Sequence, residues 1–284
     1  MMTRMAPTPS GFLHLGNMYN FILNWLWARA NNGKVLLRID DADTERKRKE
    51  YLDDIFRVLE KTGLDWDLGP TGPDDFERNW TQAQRNDIYA SLLATLREQG
   101  LLYACTCSRK DRQHGFEETP CSCRDANIPF DTPAVAWRIK TDPGAVVSLN
   151  DKRMGNLSMP VNDFIVRRKD GIASYQLSSL ADDRIFFVSH IARGEDLLES
   201  TACQVFIDQQ LEMPWFSKAL FWHHPLLKNP DGTKISKSAG QSAVSLLQET
   251  EPSMIIRSFG EWMGWDTEKY QTLQDMINHP DFTS

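Results

Sequence analysis

The sequence predicts an α/β fold built on a parallel sheet with helices on its faces, carrying one inserted module and a short helical C-terminal part. Three observations carry this prediction. Residues 1–62 run strand, loop, helix, strand, helix, and alternation of that order builds parallel sheets whose ligands sit at the carboxyl ends of the strands. Residues 105–133 then change character, becoming rich in cysteine, charge and proline with little apolar content. Strand-like and helical stretches resume after residue 160. At 284 residues the chain reaches the size at which single hydrophobic cores stop growing, so an insert or a second domain is expected.

Residues 3–17 form a loop-like run holding Gly11, His14 and Gly16, and the apolar stretch 18–30 follows it, ending at Asn31, Asn32 and Gly33. This reads as a strand end, a tight glycine-bearing turn and a buried helix stopped by glycine. Residues 35–39 are a short buried strand, and 51–61 an amphipathic helix ending before Gly63. Residues 74–100 are helical in character, with Ile88, Leu92, Leu93 and Leu96 spaced for one apolar face. Beyond the insert, 164–167 and 186–188 read as strands and 200–211 as a helix, in which Cys203 is a core residue. No segment repeats.

Hydrophobic residues at 41% and charged residues at 25% are ordinary for a soluble domain, and no run approaches the roughly 20 apolar residues that span a bilayer. The N-terminal residues lack the apolar segment of a secretory signal, so a cytoplasmic protein without membrane contact is expected. A net charge of −7 excludes broad electrostatic coating of nucleic acid and leaves room for a local basic patch. Arg46, Lys47, Arg48 and Lys49, or Arg109, Lys110 and Arg112, offer one; the alternative is solvated helix faces.

Two constellations carry chemistry. In the first, Pro7, Ser10, Gly11, His14, Gly16 and Asn17 lie at the opening of a helix. Unpaired N–H groups and the positive dipole end make such an opening a seat for phosphate oxygens, and an imidazole there can donate to a phosphate as charge develops. In the second, a turn at 229–233 delivers Lys234, Ser236, Lys237 and Ser238, and lysines on a loop can close over a polyphosphate in the transition state. Either alone is compatible with an ordinary surface loop.

Together, in this order, they resemble the HIGH and KMSKS signatures of the class I aminoacyl-tRNA synthetases. The run Arg4 to Gly11 followed by His14, the segment 37–43, and further matches at 81–85, 163–164, 170–171, 175–177, 182–183 and 191–197 resemble glutamyl-tRNA synthetase and its relatives over nearly the whole chain. The resemblance implies a Rossmann-like catalytic domain in two halves, 1–104 and 161–238, an inserted module at 105–160 where the acceptor end of tRNA is handled, and a short helical region at 239–284. It implies ATP-dependent activation of glutamate with Mg²⁺, with His14, Lys234 and Lys237 catalytic and Pro7, Ser10, Gly11, Gly16, Asn17 and Ser236 also on the nucleotide. Arg4, Ala6, Thr8, Asp40, Tyr175 and Arg193 are the implied glutamate contacts. Arginine gives the side-chain carboxylate a bidentate partner that lysine cannot reproduce. The family carries glutamate at the Asp40 position, so a shorter side chain must draw the ammonium closer or reach it through water.

Cys105, Cys107, Cys121 and Cys123 form two close pairs separated by a short loop, which suits a tetrahedral four-thiolate Zn²⁺ site, with free thiols or redox chemistry as the alternatives. Family members often carry zinc here. In several of them a tyrosine stands four residues before the last cysteine, where this chain has Thr119, so Cys121 must replace it; His114 is a further candidate ligand. Full-length glutamyl-tRNA synthetases continue into a helical anticodon-binding region, whereas this chain stops soon after Ser238. That length resembles the glutamyl-queuosine tRNA(Asp) synthetase branch, and implies a monomer that transfers glutamate to queuosine-bearing tRNA(Asp). A truncated enzyme charging tRNA(Glu), or a non-catalytic zinc-containing RNA-binding paralogue, is the alternative.

Overall fold

The computed structural model describes residues 1–108, 121–212, 214–227 and 244–282. In chain order the elements are β1 (Met2–Met5), α1 (Leu15–Ala30), β2 (Lys34–Leu37), α2 (Lys49–Thr62), α3 (Pro73–Asn79), α4 (Asn86–Glu98), β3 (Leu102–Cys105), β4 (Ala136–Ile139), β5 (Val146–Asp151), β6 (Gly155–Pro160), β7 (Phe164–Arg167), α5 (Tyr175–Ile185), β8 (His190–Gly194), α6 (Leu198–Gln210), β9 (Leu220–His224), α7 (Leu246–Glu249), α8 (Pro252–Met263) and α9 (Leu273–Met276). They divide into two units: Met1–Gln84 with Val188–Asp196 and Phe221–Ser284, and Arg85–Phe187 with Leu197–Leu220.

In the first unit β1 and β2 pair in parallel, Arg4 opposite Leu36, and a parallel bridge joins Leu36 to Leu68. The link between the strands is α1, whose residues 21–28 are all buried, so it is a core helix rather than an amphipathic one. Its stop differs from the sequence expectation: the left-handed residue is Asn32 (φ 50°), and Gly33 is not at a positive angle. Asparagine tolerates that region better than most side chains. The helix α2 buries Leu52, Ile55, Phe56, Val58 and Leu59 and ends at Gly63 (φ 76°), the expected glycine cap. The N–H of Ser189 donates to the carbonyl of Met2 at 3.0 Å, and β8 is hydrogen-bonded to β9. The C-terminal helices close on α1 through Tyr19, whose ring lies 5.8 Å from Phe259 and 5.2 Å from Trp262.

The second unit holds an antiparallel sheet β3-β4-β7 and a hairpin β5-β6. Two expectations change here. Residues 74–100 are not one helix: the chain breaks at Trp80, passes through a 3₁₀ turn at Gln82–Arg85 and restarts as α4, whose buried face is Tyr89, Leu93 and Leu96, with Ile88 exposed. Residues 186–188 are no strand, since α5 runs to Ile185 and Phe187 sits at φ 55°, 65% exposed. The unit is pinned by a buried trio in which Arg85 holds Asp182 bidentately (Nε to Oδ1 2.7 Å, Nη2 to Oδ2 3.0 Å) while the Tyr89 hydroxyl donates to the same carboxylate at 2.7 Å. Among the described residues no helix is long and apolar enough to cross a membrane.

Candidate active site

The loop between β1 and α1 is laid along the end of β2. Arg38 N–H donates to the Met5 carbonyl and Asp40 N–H to that of Pro7, both at 2.9 Å, which extends the parallel pairing past the strands. Arg48 N–H reaches the Pro9 carbonyl at 3.2 Å, and Ser10 N–H that of Thr8 at 2.9 Å. Pro7 is thereby buried, while Ser10, Gly11 and Ala6 are half-buried and Thr8 exposed.

His14 is the N-cap of α1. Its Nδ1 accepts the Asn17 N–H at 3.4 Å, and its own N–H donates to Asn17 Oδ1 at 3.1 Å, a reciprocal capping box made from the two polar ends of the His-Leu-Gly-Asn motif. With Nδ1 accepting, the proton of the neutral ring sits on Nε2. Gly16 makes room for this: a Cβ there would lie 3.1 Å from both Cε1 and Nδ1 of His14. The motif therefore starts a helix and fixes one imidazole tautomer at its positive end. Lys234, Ser236 and Lys237 lie outside the described residues.

Arg4 and Arg193 are 3% and 2% exposed, and the Arg4 Nη1 donates to the carbonyl of Ala192 at 3.2 Å. The Arg193 guanidinium stands 5.7 Å from the Phe221 ring centroid. Asp40 is held bidentately by Arg38 (Nε to Oδ1 2.7 Å, Nη2 to Oδ2 3.0 Å), so the acid expected for an ammonium already faces a guanidinium. Arg38 was not singled out from sequence, although two residues apart on an extended segment places both side chains on one side. Tyr175 belongs to the other unit, at the start of α5, and is 40% exposed. Next door, Asp41 accepts the Gln82 N–H at 2.8 Å and pairs with Lys47 at 3.2 Å, and Lys47 also meets Glu77 at 2.9 Å. Arg46 pairs with Asp43, and Arg48 donates to the carbonyls of Glu45 and Lys47, so the run 46–49 is tied to its own neighbours. Arg109, Lys110 and Arg112 are outside the described residues, as are His114 and Thr119.

Cys105, at the end of β3, meets Cys107, Cys121 and Cys123 with all four Sγ atoms within 4.8 Å of one another. Cys105 to Cys121 is 3.7 Å, Cys107 to Cys121 3.3 Å and Cys107 to Cys123 3.6 Å. A zinc tetrahedron with bonds of about 2.3 Å has edges of about 3.8 Å, so the four sulfurs stand close to the spacing that the ion needs. Burial and the neighbouring thiols push Cys105 and Cys107 up; burial acts the same way on Cys123, but the Thr106 N–H and hydroxyl and the adjacent thiols overcome it and bring Cys123 to about 6. Metal binding would release whatever protons the four thiols carry. Cys203, on α6, is half-buried, and burial pushes its thiol up to about 12.

A helix start offered at the end of a parallel strand pair is the arrangement on which α/β enzymes seat nucleotide phosphates. Comparison with known proteins narrows this: the chain belongs to the family described as tRNA synthetases class I (E and Q), catalytic domain, whose model matches residues 1–283. It is thus a ligase with the class I synthetase catalytic fold. It is 37% identical over 276 residues to a glutamyl-Q tRNA(Asp) synthetase of Pseudomonas putida F1, covering 91% of this chain and 87% of the relative. Against the protein of that description from Pseudomonas entomophila L48 it is 36% identical over 286 residues, 94% and 92% of the two chains. The fold is also that of glutamate-tRNA synthetase from Elizabethkingia anophelis (TM-score 0.81, 24% identity, 100% of this chain and 66% of that one). A methionyl-tRNA synthetase from Mycobacterium tuberculosis is more distant (TM-score 0.56, 12% identity, 90% and 62%). This chain therefore spans about two-thirds of the length of those synthetase structures.

Proposed function

We propose that this protein uses ATP to convert glutamate to glutamyl-adenylate and then transfers the glutamyl group to the queuosine base in the anticodon of tRNA(Asp). The observation that carries the proposal is the agreement, over more than nine-tenths of this chain, with relatives described as glutamyl-Q tRNA(Asp) synthetases. In the first step a glutamate α-carboxylate oxygen attacks the α-phosphorus, the bond to the β-phosphate oxygen breaks, and pyrophosphate leaves with Mg²⁺ neutralising its charge. In the second, a cyclopentene hydroxyl of queuosine attacks the acyl carbon and AMP departs.

The reading gives His14 Nε2–H, Lys234 and Lys237 the task of stabilising charge that develops on the phosphates. Pro7, Ser10, Gly11, Gly16, Asn17 and Ser236 line the nucleotide. Arg4 and Arg193 take the glutamate side-chain carboxylate, and Ala6, Thr8 and Tyr175 complete the walls. Asp40 takes the ammonium, directly or through water. The four cysteines hold a structural Zn²⁺ that ties Cys105 and Cys107 to Cys121 and Cys123. The enzyme works in the cytoplasm as a monomer. Incubation with labelled glutamate, ATP and tRNA(Asp), with and without queuosine, tests the proposal. Label appearing only on the modified tRNA and surviving removal of the 3′ end is expected; label on tRNA(Glu) instead overturns it.

A further inference from the structure

Three polar side chains converge on one backbone carbonyl in the core of the first unit. The Ala192 oxygen accepts from Arg4 Nη1 at 3.2 Å, Asn20 Nδ2 at 3.1 Å and Asn24 Nδ2 at 3.0 Å. Asn24 is fully buried and also accepts the Ala192 N–H on its Oδ1 at 3.1 Å, so its amide meets both polar groups of one residue of β8 as a neighbouring strand would. Asn20 and Asn24 sit one helical turn apart on α1 and are themselves joined, Asn24 Nδ2 donating to the Asn20 carbonyl at 2.9 Å. The same Asn20 amide reaches Nε2 of His224 at 3.0 Å, and His224 Nδ1–H donates to the Pro225 carbonyl at 2.9 Å, which leaves Nε2 as the acceptor.

Two bland explanations fall short. A polar residue placed only to satisfy strand groups would not need three donors on one oxygen, which has two lone pairs. An asparagine on an otherwise buried helix is costly unless every group is engaged, and leucine would fill the space at less risk. The oxygen that gathers these donors belongs to the peptide unit joining Ala192 to Arg193. Fixing that plane sets the direction in which the Arg193 side chain leaves the strand, and Arg4 is registered to the same plane through its own guanidinium.

We infer that Asn24, assisted by Asn20, is a positioning residue that sets the separation and orientation of Arg4 and Arg193, and through them selects glutamate over its uncharged amide. This rests on the proposed role of the two arginines at the substrate carboxylate. Bidentate recognition of a carboxylate tolerates little misalignment, so a displaced peptide plane should weaken glutamate binding while ATP, held by the other end of the β1–α1 loop, is unaffected.

The test is ATP–pyrophosphate exchange by the full chain with glutamate or glutamine, for wild type, Asn24→Ala and the milder Asn20→Ala. For Asn24→Ala the KM for glutamate is expected to rise about tenfold or more, the scale of one lost hydrogen bond to a charged group, with the KM for ATP within about twofold. The preference for glutamate over glutamine should fall, and Asn20→Ala should shift both quantities in the same direction by less. Parallel rises in both KM values, or a fall in kcat with glutamate preference intact, in whichever variant folds, overturn the inference. Wild-type protein that exchanges no pyrophosphate with glutamate would instead overturn the proposed function, so the two failures are distinct.

Discussion

Gly16→Ala should separate stability from activity. Gly16 is the second residue of α1 and is not in the left-handed region, so alanine is conformationally allowed. Replacing a helical glycine with alanine stabilises by about 0.5–1 kcal/mol. Against this, the new Cβ would stand 3.1 Å from Cε1 and Nδ1 of His14, and the ring must retreat by a few tenths of an ångström. The capping bond to Nδ1 is already 3.4 Å long, so the retreat breaks it, at a cost of about 0.5–1 kcal/mol. The two effects offset, and the melting temperature should stay within a few degrees of wild type. The Nε2–H moves with the ring by those few tenths of an ångström, however, and since a misplacement of about 1 Å at a reacting centre costs about a hundredfold, this smaller shift should cost up to about tenfold. We expect kcat for pyrophosphate exchange to fall about 3- to 10-fold with little change in the KM for glutamate. In a His14→Ala background the same substitution should add nothing, because the group it displaces is gone. An exchange rate within about twofold of wild type for Gly16→Ala, with the melting temperature unchanged, would refute the claim that the ring's seat on the helix start matters to adenylate formation.

In the second unit, Asp182→Asn leaves Arg85 facing a neutral amide and should destabilise by about 3–5 kcal/mol, the cost of breaking a buried pair, measured by urea unfolding. Burial and the nearby Asp182 hold the Tyr89 hydroxyl protonated well beyond its ordinary range, so Tyr89 should give no pH dependence of stability near neutrality. His190 should give one. Burial first, and then the N-terminal ammonium, lower its pKa below the ordinary 6.5, so the unfolded chain takes up the proton more readily. Stability is then full above 6.5 and is lost as pH falls through and below that value, a slope that thermal melts between about pH 7 and 5 should show and that His190→Gln should flatten.

How far the sequence could be read followed the range of the interactions. The opening β1–α1–β2–α2 was legible because its signals are local: an apolar stretch long enough for a buried helix, and Gly63 in the one conformation that favours glycine. The run Phe186-Phe187-Val188 misled because a short apolar run reads equally as strand or helix end, and only the positive φ of Phe187 distinguishes them. In residues 74–100 leucine spacing suggested one face, but Tyr89 rather than Ile88 turns inward, since its hydroxyl has Asp182, 93 positions away, to meet. Chemistry-bearing residues were legible as types, while their partners were not. The Arg38 grip on Asp40 is local, two residues apart, but the gathering of Arg4, Asn20 and Asn24 on Ala192 follows from no single stretch. The pair Asn20 and Asn24, four apart in an apolar helix, was the one visible sign of the latter.

The cysteine cluster is organised by the same device, a single acceptor that draws in donors from distant parts of the chain. Asp163 accepts from the Tyr103 hydroxyl at 3.0 Å, from Arg124 Nη1 at 2.8 Å, and from Thr141 through its N–H at 2.8 Å and its hydroxyl at 3.1 Å. Tyr103 lies two residues before Cys105 on β3, and Arg124 directly follows Cys123, so one carboxylate registers the two cysteine pairs against each other. Arg124 also donates to the Thr141 carbonyl at 2.9 Å and its N–H to the Cys121 carbonyl at 2.8 Å, which fixes the second pair from both sides. Asp163 acts on the cysteines through the residues beside them, and since losing a partner bonded directly to a ligand costs about 10- to 100-fold, losing Asp163 should cost about tenfold or less. Asp163→Asn keeps the shape and one acceptor oxygen but loses the charge that Arg124 pairs with, so zinc should still bind at one ion per chain and release faster to a chelator. Cys121→Ser, which removes a ligand itself, should lose the stoichiometric ion. Equal chelator competition by wild type and Asp163→Asn would show that the four sulfurs are held by the backbone of β3 and the Cys121 turn alone, with Asp163 serving only the sheet.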